Sequence, residues 1–180
     1  EAWKISRLYP VAKTPRIFLF LTQSAHFGFT GKAVSDLSLI LDSSTSLKDE
    51  YNSQIDKFPT LVRELASGEH ILFASKSNEG SWTFVNIETD SSGKISKMDR
   101  SRQDDYTLAI ISSDKTVSQI INSKDPILEA INEIINGNIS YKSKGLSTRF
   151  KVKMGEIYVK DQFGKSISET KSLVIPSADE

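Results

Sequence analysis

Residues 104–139, which read DDYTLAIISSDKTVSQIINSKDPILEAINEIINGNI, decide the fold. Residues 105–111 become almost continuously apolar after the aspartate pair, which favours a strand in the interior of a sheet. Ser113 follows, and its hydroxyl can accept a hydrogen bond from the first turn of a helix. The pattern therefore predicts a short helix over residues 114–122, directly after the strand.

A second helix begins at Asp125 in the same stretch. An aspartate cap followed by Pro126 at the first helical position is a start signal, because proline has no backbone donor to lose there. Asn136-Gly137 supplies a left-handed end to this helix. Residues 138–144 then alternate between polar and apolar, which is typical of an edge strand.

The residues before this stretch predict further strands and two more helices. Residues 69–76 form a strand by the same criteria, and residues 82–98 alternate around turn residues at 90–93, which predicts a hairpin with one solvated face. Two helices are expected over residues 47–57 and 59–66. Nearer the N-terminus, residues 16–22 have the aromatic and aliphatic density of a buried strand.

In this order, the segments resemble the sterol carrier (type 2, non-specific lipid-transfer) protein family over residues 69–160. In that family an aspartate precedes an aliphatic strand, and a short helix, an Asp-Pro helix, a glycine-capped strand, a Lys-Gly pair and an apolar helix follow. The segments that carry the resemblance are Asp104 to Leu108, Ser113 to Lys115, Lys124 to Pro126, Ile135 to Ile139 and Lys144 to Leu146.

The resemblance implies an α+β fold, with a mostly antiparallel five-stranded sheet covered on one face by helices. It also favours a helix beyond residue 146, where the spacing of the apolar residues fits a strand and a helix equally well. The chain then divides into an N-terminal extension of unknown role (1–46), a sterol-carrier-like domain (47–160) and a tail (161–180).

The resemblance further implies an apolar tunnel between sheet and helices that receives an acyl, isoprenoid or sterol-like lipid. The residues expected to contact this ligand are Phe73, Trp82, Phe84, Ile120, Ile131, Ile135, Phe150 and Met154. Burial of an acyl chain contributes about 0.8 kcal/mol per methylene, so such a site needs no specific polar contact. The same residues would equally form a filled core, because periodicity identifies an apolar face and not whether the interior is full.

Charge and composition exclude several classes of partner. The chain has 23 basic and 23 acidic residues, so no overall field attracts nucleic acid or an anionic membrane. We expect no nucleic-acid partner and at most peripheral membrane contact, for which the basic residues between Lys142 and Lys153 are the candidates. The chain has no cysteine, which excludes disulfides and thiolate catalysis. The cytoplasm is the favoured compartment.

No group of residues has the spacing of a catalytic, cofactor or metal site. The glycines between Gly28 and Ala33 are too closely spaced for a phosphate-binding loop. Asp104 and Asp105 adjoin the start of a strand, where successive side chains point to opposite faces, so a solvated turn is favoured over a carboxylate pair. We therefore expect no catalytic residues, no cofactor and no metal, and hence a protein that is not an enzyme.

Two functions remain open. The first is non-enzymatic binding or transfer of a hydrophobic ligand in the apolar tunnel. The alternative is a structural or interaction subunit of a larger assembly, which uses the same fold with a filled core. In that case the apolar extension, residues 1–46, is the candidate surface for a protein partner.

Overall fold

The structure is a computed structural model and describes residues 44–56 and 60–177. The strand predicted over residues 16–22 lies outside the described residues, as does the predicted extension except for its last three residues. Those three residues begin the first helix.

Five strands and five helices follow one another in the order that the sequence predicts, within the described residues. The strands are β1 (His70–Lys76), β2 (Trp82–Thr89), β3 (Ile95–Asp99), β4 (Leu108–Ser113) and β5 (Ser140–Ser143). The helices are α1 (Ser44–Ile55), α2 (Thr60–Ala66), α3 (Asp114–Ile121), α4 (Pro126–Ile135) and α5 (Leu146–Phe163). The helix expected beyond residue 146 is therefore confirmed.

The strands form a single five-stranded sheet in the order β3-β2-β1-β4-β5. Strand β1 pairs with β4 in parallel, and the other three neighbouring pairs are antiparallel. The predicted fold class is thus confirmed, with a mixed and mostly antiparallel sheet. Strand β4 lies between β1 and β5, in the interior position that its continuous apolar sequence predicts.

The register brings the large apolar side chains to one face of the sheet. Phe73 of β1 lies opposite Val85 of β2 and Ile110 of β4, and Ile110 lies opposite Tyr141 of β5. Helices α1, α3, α4 and α5 contribute buried side chains to the cluster on this face. The cluster consists of Tyr51, Ile55, Phe73, Val85, Ile87, Ile95, Leu108, Ile110, Val117, Ile120, Ile121, Ala130, Ile131, Ile134, Ile139, Tyr141 and Val159. We refer to it as the aliphatic cluster.

The helix ends show the capping interactions that the sequence predicts. The backbone N–H of Thr116 donates to the Ser113 hydroxyl at 3.2 Å, and that of Leu128 donates to the Asp125 carboxylate at 3.1 Å. After α4, Gly137 has a φ of +79°, which is the left-handed end that the sequence predicts. The two N-terminal caps satisfy backbone donors that a helix start would otherwise leave unpaired.

Close approach between α2 and the β2–β3 turn requires glycine at position 93. A Cβ atom there would lie 2.9 Å from the carbonyl oxygen of Arg63 and 3.1 Å from the Cβ of Ala66. The backbone of Gly93 also has a φ of +85°, which L-residues with side chains rarely adopt. The turn can therefore pack against α2 only without a side chain at this position.

Residues 164–177, which follow α5, run beside β5. The backbone N–H of Thr170 donates to the Tyr141 carbonyl at 2.9 Å, and that of Ser143 donates to the Glu169 carboxylate at 2.5 Å. Ile167 packs against the aliphatic cluster. This part of the predicted tail is thus attached to the domain.

Candidate ligand-binding site

The eight residues predicted to contact a ligand lie in three places. Three are in the aliphatic cluster, two are on the opposite face of the sheet, and three are on α4 and α5. In the same order they are Phe73, Ile120 and Ile131; Trp82 and Phe84; and Ile135, Phe150 and Met154. Only the first group is brought together, and the ligand-binding role of all eight stays a prediction.

The first group lies in a closed interior. Phe73, Ile120 and Ile131 are each at most 2% exposed. A channel wide enough for an acyl chain would also admit water, and the side chains lining it would then be accessible. These three side chains therefore line no open channel, and a ligand would have to displace part of the cluster to reach them.

The second group lies on the other side of the sheet. Phe84 is opposite Ala74 and Trp82 is opposite Lys76, whereas Phe73 is opposite Val85, so the sheet separates Phe73 from both of the other aromatic residues. Each aromatic ring is near a cation. The Lys76 amino group is 5.6 Å from the centre of the Trp82 ring, and the Arg102 guanidinium is 5.9 Å from that of Phe84. One ligand beneath the helices cannot contact all three aromatic residues.

The third group lies on α4 and α5, and α5 has an unusual distribution of apolar side chains. On α5 the large apolar side chains face outward, with Leu146 87% exposed, Phe150 69% and Ile157 59%. Successive helical residues are rotated by about 100°, which places these three within about 40° of one another. We call them the apolar row. Met154 is half-buried at the edge of this row.

The inner side of α5 carries mainly small side chains. Gly155 and Val159 are buried, and Val152 packs partly buried against the aliphatic cluster. Among the described residues, the large side chain that α5 turns toward the cluster is Phe163, at its last position. Helix α5 thus has its smaller apolar residues inside and its larger ones outside.

A buried carboxylate attaches the first half of α5 to the end of the sheet. Glu69 precedes β1 and accepts hydrogen bonds from the Thr107 hydroxyl at 2.6 Å and the Thr148 hydroxyl at 2.8 Å. The Lys151 amino group donates to the same carboxylate at 2.7 Å and to the Ser67 carbonyl at 2.8 Å. These charge-assisted bonds fix the position of α5 along the sheet.

A second carboxylate holds the middle of α5. Glu156, also buried, accepts from the Tyr141 hydroxyl at 3.0 Å, from the Lys153 amino group at 2.5 Å and from the backbone N–H of Glu169 at 3.2 Å. Burial, together with the nearby charge of Glu156, raises the pKa of the Tyr141 hydroxyl well above its usual value. Tyr141 is therefore a neutral hydrogen-bond donor at all ordinary pH values.

Tyr158, on α5, has a polar group without a hydrogen bond. Its hydroxyl oxygen is buried and finds no hydrogen-bond partner among the residues that the structure describes. Burial, with a contribution from Asp161, raises the pKa of Tyr158 to about 12. An unpaired buried hydroxyl is costly, so this group is available to a polar atom that enters the site.

Sequence reasoning missed the two buried carboxylates and two of the three residues of the apolar row. Glu69 and Glu156 carry no local signal for burial, since each has a partner on another element: Lys151 is 82 residues from Glu69, and Tyr141 is 15 residues from Glu156. The apolar row had a signal, because Leu146, Phe150 and Ile157 share one helical face. Only Phe150 was singled out.

A shallow pocket lies elsewhere, at the end of the sheet where β1 and β2 meet the β3–β4 loop. Its cavity volume is about 10 Å³, far below the roughly 300–1,000 Å³ of typical ligand pockets. His70, Asn86, Glu88 and Tyr106 are among the residues that line it. Its size and polar lining do not fit the hydrophobic ligand that the sequence predicts.

Two features are absent from residues 44–56 and 60–177. No three histidine, aspartate or glutamate side chains in this part of the chain are grouped so that they could hold a metal ion. The helices described here include none with the length and apolar character to cross a bilayer.

Comparisons with known proteins found matches among solved structures. The chain is similar to sterol carrier protein 2 from Yarrowia lipolytica in its apo form, with a TM-score of 0.38 and 18% identity, over 68% of this chain and 94% of that one. It is similar to the ubiquinone synthesis protein UbiJ-SCP2, with a TM-score of 0.42 and 9% identity, over 68% and 99%. It is also similar to sterol carrier protein domain 2 of Helicoverpa armigera, with a TM-score of 0.41 and 17% identity, over 78% and 99%.

The sequence resemblance and these solved structures name one family. No protein-family model and no curated protein matches the chain. The TM-scores and identities are low, so a function for this protein has to rest on its own residues.

Proposed function

We propose that this protein binds and transfers a hydrophobic molecule of the acyl, isoprenoid or sterol-like kind, without catalysis. The ligand would lie between α5 and the aliphatic cluster. The observation that carries the proposal is the distribution of side chains on α5, which turns Val152, Gly155 and Val159 inward and the larger apolar row outward.

This distribution makes the contact between α5 and the cluster easy to open. Apolar burial contributes about 25 cal/mol per Å², so small inward side chains stabilise the docked helix less than large ones would. The remaining attachment is polar, through Glu69 and Glu156. When the helix moves, water can replace the hydrogen bonds of both partners, so opening costs less than a substitution that leaves one partner buried and unpaired. An apolar chain inserted beneath α5 would supply the contact area that the helix itself lacks.

Entry of the ligand requires α5 to move, because the side chains beneath it have no exposed surface. A chain of ~12 methylenes would gain about 10 kcal/mol from burial before association and ordering costs, which is sufficient for micromolar binding. The unpaired hydroxyl of Tyr158 is the candidate partner for a polar head group on the ligand. A carboxylate could accept a hydrogen bond from it.

Native mass spectrometry of gently purified protein, followed by lipid analysis of the same sample after denaturation, tests the proposal. We expect a bound mass that denaturation releases. In a titration with a fluorescent fatty acid, Val152→Phe should weaken binding about tenfold, because the added ring fills the space beneath α5. Val174→Phe, on the exposed side of the tail, is the matched control and should bind as the wild type does.

Tyr158→Phe separates polar from apolar recognition. It should weaken binding of a fatty acid and leave binding of an uncharged isoprenoid alcohol nearly unchanged, if the hydroxyl contacts a carboxylate. Protein that carries no lipid when purified, and that binds neither probe, would contradict the proposed function.

A second candidate function has its own support. The closed interior around Phe73, Ile120 and Ile131 is what a structural or interaction subunit with a filled core requires. A protein partner through residues 1–46 stays part of that hypothesis. Light scattering distinguishes the two, because a monomer that carries lipid and co-purifies with no other protein favours the carrier.

A further inference from the structure

The outer side of α5 carries two parallel rows of side chains. The apolar row occupies positions 146, 150 and 157, and a basic row of Arg149, Lys153 and Lys160 repeats the same spacing three residues further along. All six side chains are exposed. Each basic residue follows an apolar one by three positions. At about 100° per residue, the basic row therefore lies about 60° around the helix axis from the apolar row, on one side of it.

We propose that this face of α5 docks on an anionic lipid bilayer. The two rows match the design of an interfacial helix, in which large apolar side chains enter the boundary of the acyl region and bordering Lys and Arg meet the head groups. The first and last residues of the apolar row are 11 positions apart, or about 16 Å at 1.5 Å per residue, so its side chains can enter one plane together.

The local charge fits an anionic surface although the whole chain is neutral. Between positions 142 and 165 there are seven Lys or Arg and two Asp or Glu, a formal net charge of +5, against −5 for the rest of the chain. Glu156 is buried and already accepts hydrogen bonds from Tyr141 and Lys153. Asp161 is the exposed acidic residue on α5. The exposed cations of the basic row therefore place positive charge beside the apolar row.

A bilayer fits this face better than a protein partner does. The rows lie on the convex outer side of a surface helix, and a protein would need a complementary groove to cover them, whereas a bilayer adapts to the helix. Lys151 points away from the rows and is bonded to Glu69 and Ser67, so it holds α5 against the domain while the outer face of the helix is free to dock.

Co-sedimentation of the full chain with vesicles tests this inference. One vesicle is a two-to-one mixture of phosphatidylcholine and phosphatidylserine, and the other is phosphatidylcholine alone. We expect binding to the mixed vesicles, with weaker binding to the neutral ones and a decrease at high salt. Arg149→Glu with Lys160→Glu should weaken binding to the mixed vesicles about tenfold or more. Lys115→Glu with Lys124→Glu, at exposed positions on α3 and in the loop between α3 and α4, is the charge-matched control.

The apolar row is tested separately. Phe150→Ser with Ile157→Ser should weaken binding to the mixed vesicles about tenfold. Val174→Ser, which changes an equally exposed apolar side chain outside α5, should have no effect. Far-ultraviolet circular dichroism and thermal unfolding confirm that each variant is folded.

Three results would overturn the inference. The first is a wild-type protein that binds neither vesicle, and the second is row variants that bind as tightly as the wild type does. The third is a wild-type dimer that binds no vesicles and that the row variants convert to a monomer. The inference does not depend on the proposed ligand. If the chain still sediments with vesicles but binds no fluorescent fatty acid, only the proposed function is refuted. Fatty-acid binding that persists without vesicle binding refutes only the inference.

Discussion

The inner and outer sides of α5 are built in opposite ways. The inner side carries Gly155 and Val159 and is attached by hydrogen bonds to Glu69 and Glu156, whereas the outer side exposes the apolar row. In an ordinary surface helix the large apolar residues face the core and the polar residues face water. The difference indicates that polar contacts position α5 and that its large apolar side chains are left exposed on its outer side.

The largest effect should come from breaking the inner polar attachment. Glu69→Gln removes the charge that pairs with Lys151 in a buried setting and should lower the free energy of unfolding by about 3 kcal/mol. Urea denaturation followed by circular dichroism measures this loss. Glu79→Gln, in the exposed β1–β2 turn, is the matched control and should change stability by less than about 0.5 kcal/mol. Equal stabilities for the two variants would show that Glu69 does not anchor α5.

An intermediate effect should distinguish the two sides of α5 directly. Val159→Ala removes two buried methyl groups and should cost about 2 kcal/mol, since the small cavity adds to the lost burial. Ile157→Ala, two residues away on the exposed side, removes more apolar volume and yet should change stability by no more than about 0.5 kcal/mol. Thermal or urea unfolding of both variants checks this difference. A larger loss for Ile157→Ala would mean that the outer side is packed in solution.

The smallest effect concerns pH. The pKa of Tyr141 is raised above its unfolded value of about 10, so above that pH the unfolded chain releases a proton that the folded chain retains. The contribution of Tyr141 to stability is therefore complete below pH ~10, and above it the contribution should fall by about 1.4 kcal/mol per pH unit.

Tyr141→Phe should remove this alkaline dependence, at the cost of one hydrogen bond to Glu156 at neutral pH. Urea unfolding at a series of pH values up to ~11 measures it. Tyr158→Phe gives the comparison from α5, because the pKa of Tyr158 is also raised, to about 12. Parallel pH profiles for wild type and Tyr141→Phe would contradict the assignment.

Much of the fold follows from local signals in the sequence. The caps at Ser113 and Asp125, the proline after Asp125 and the alternation in the strands each depend on a few neighbouring residues, and the structure shows them where they are expected. Helix α5 was ambiguous because its apolar residues lie on two sides. A helix with one apolar face would have shown a clear 3.6-residue period.

The site could not be assembled from local signals. Phe73 and Phe84 both belong to apolar strands, and which face each occupies depends on the β1–β2 register, since a shift by one residue would exchange the faces. Whether the interior near Ile131 is open depends on packing between distant elements. The partners of Glu69 are brought to it by the fold, with Thr148 separated from it by 79 residues.

The segment after α5 has a consequence for how copies of this protein behave toward one another. Strand β5 ends the sheet on one side, and its outward backbone groups at Tyr141 and Ser143 are bonded to Thr170 and Glu169. An uncovered strand at a sheet margin is a template for the strand of another molecule. By occupying these groups within its own chain, the protein removes one route to intermolecular β-pairing and aggregation.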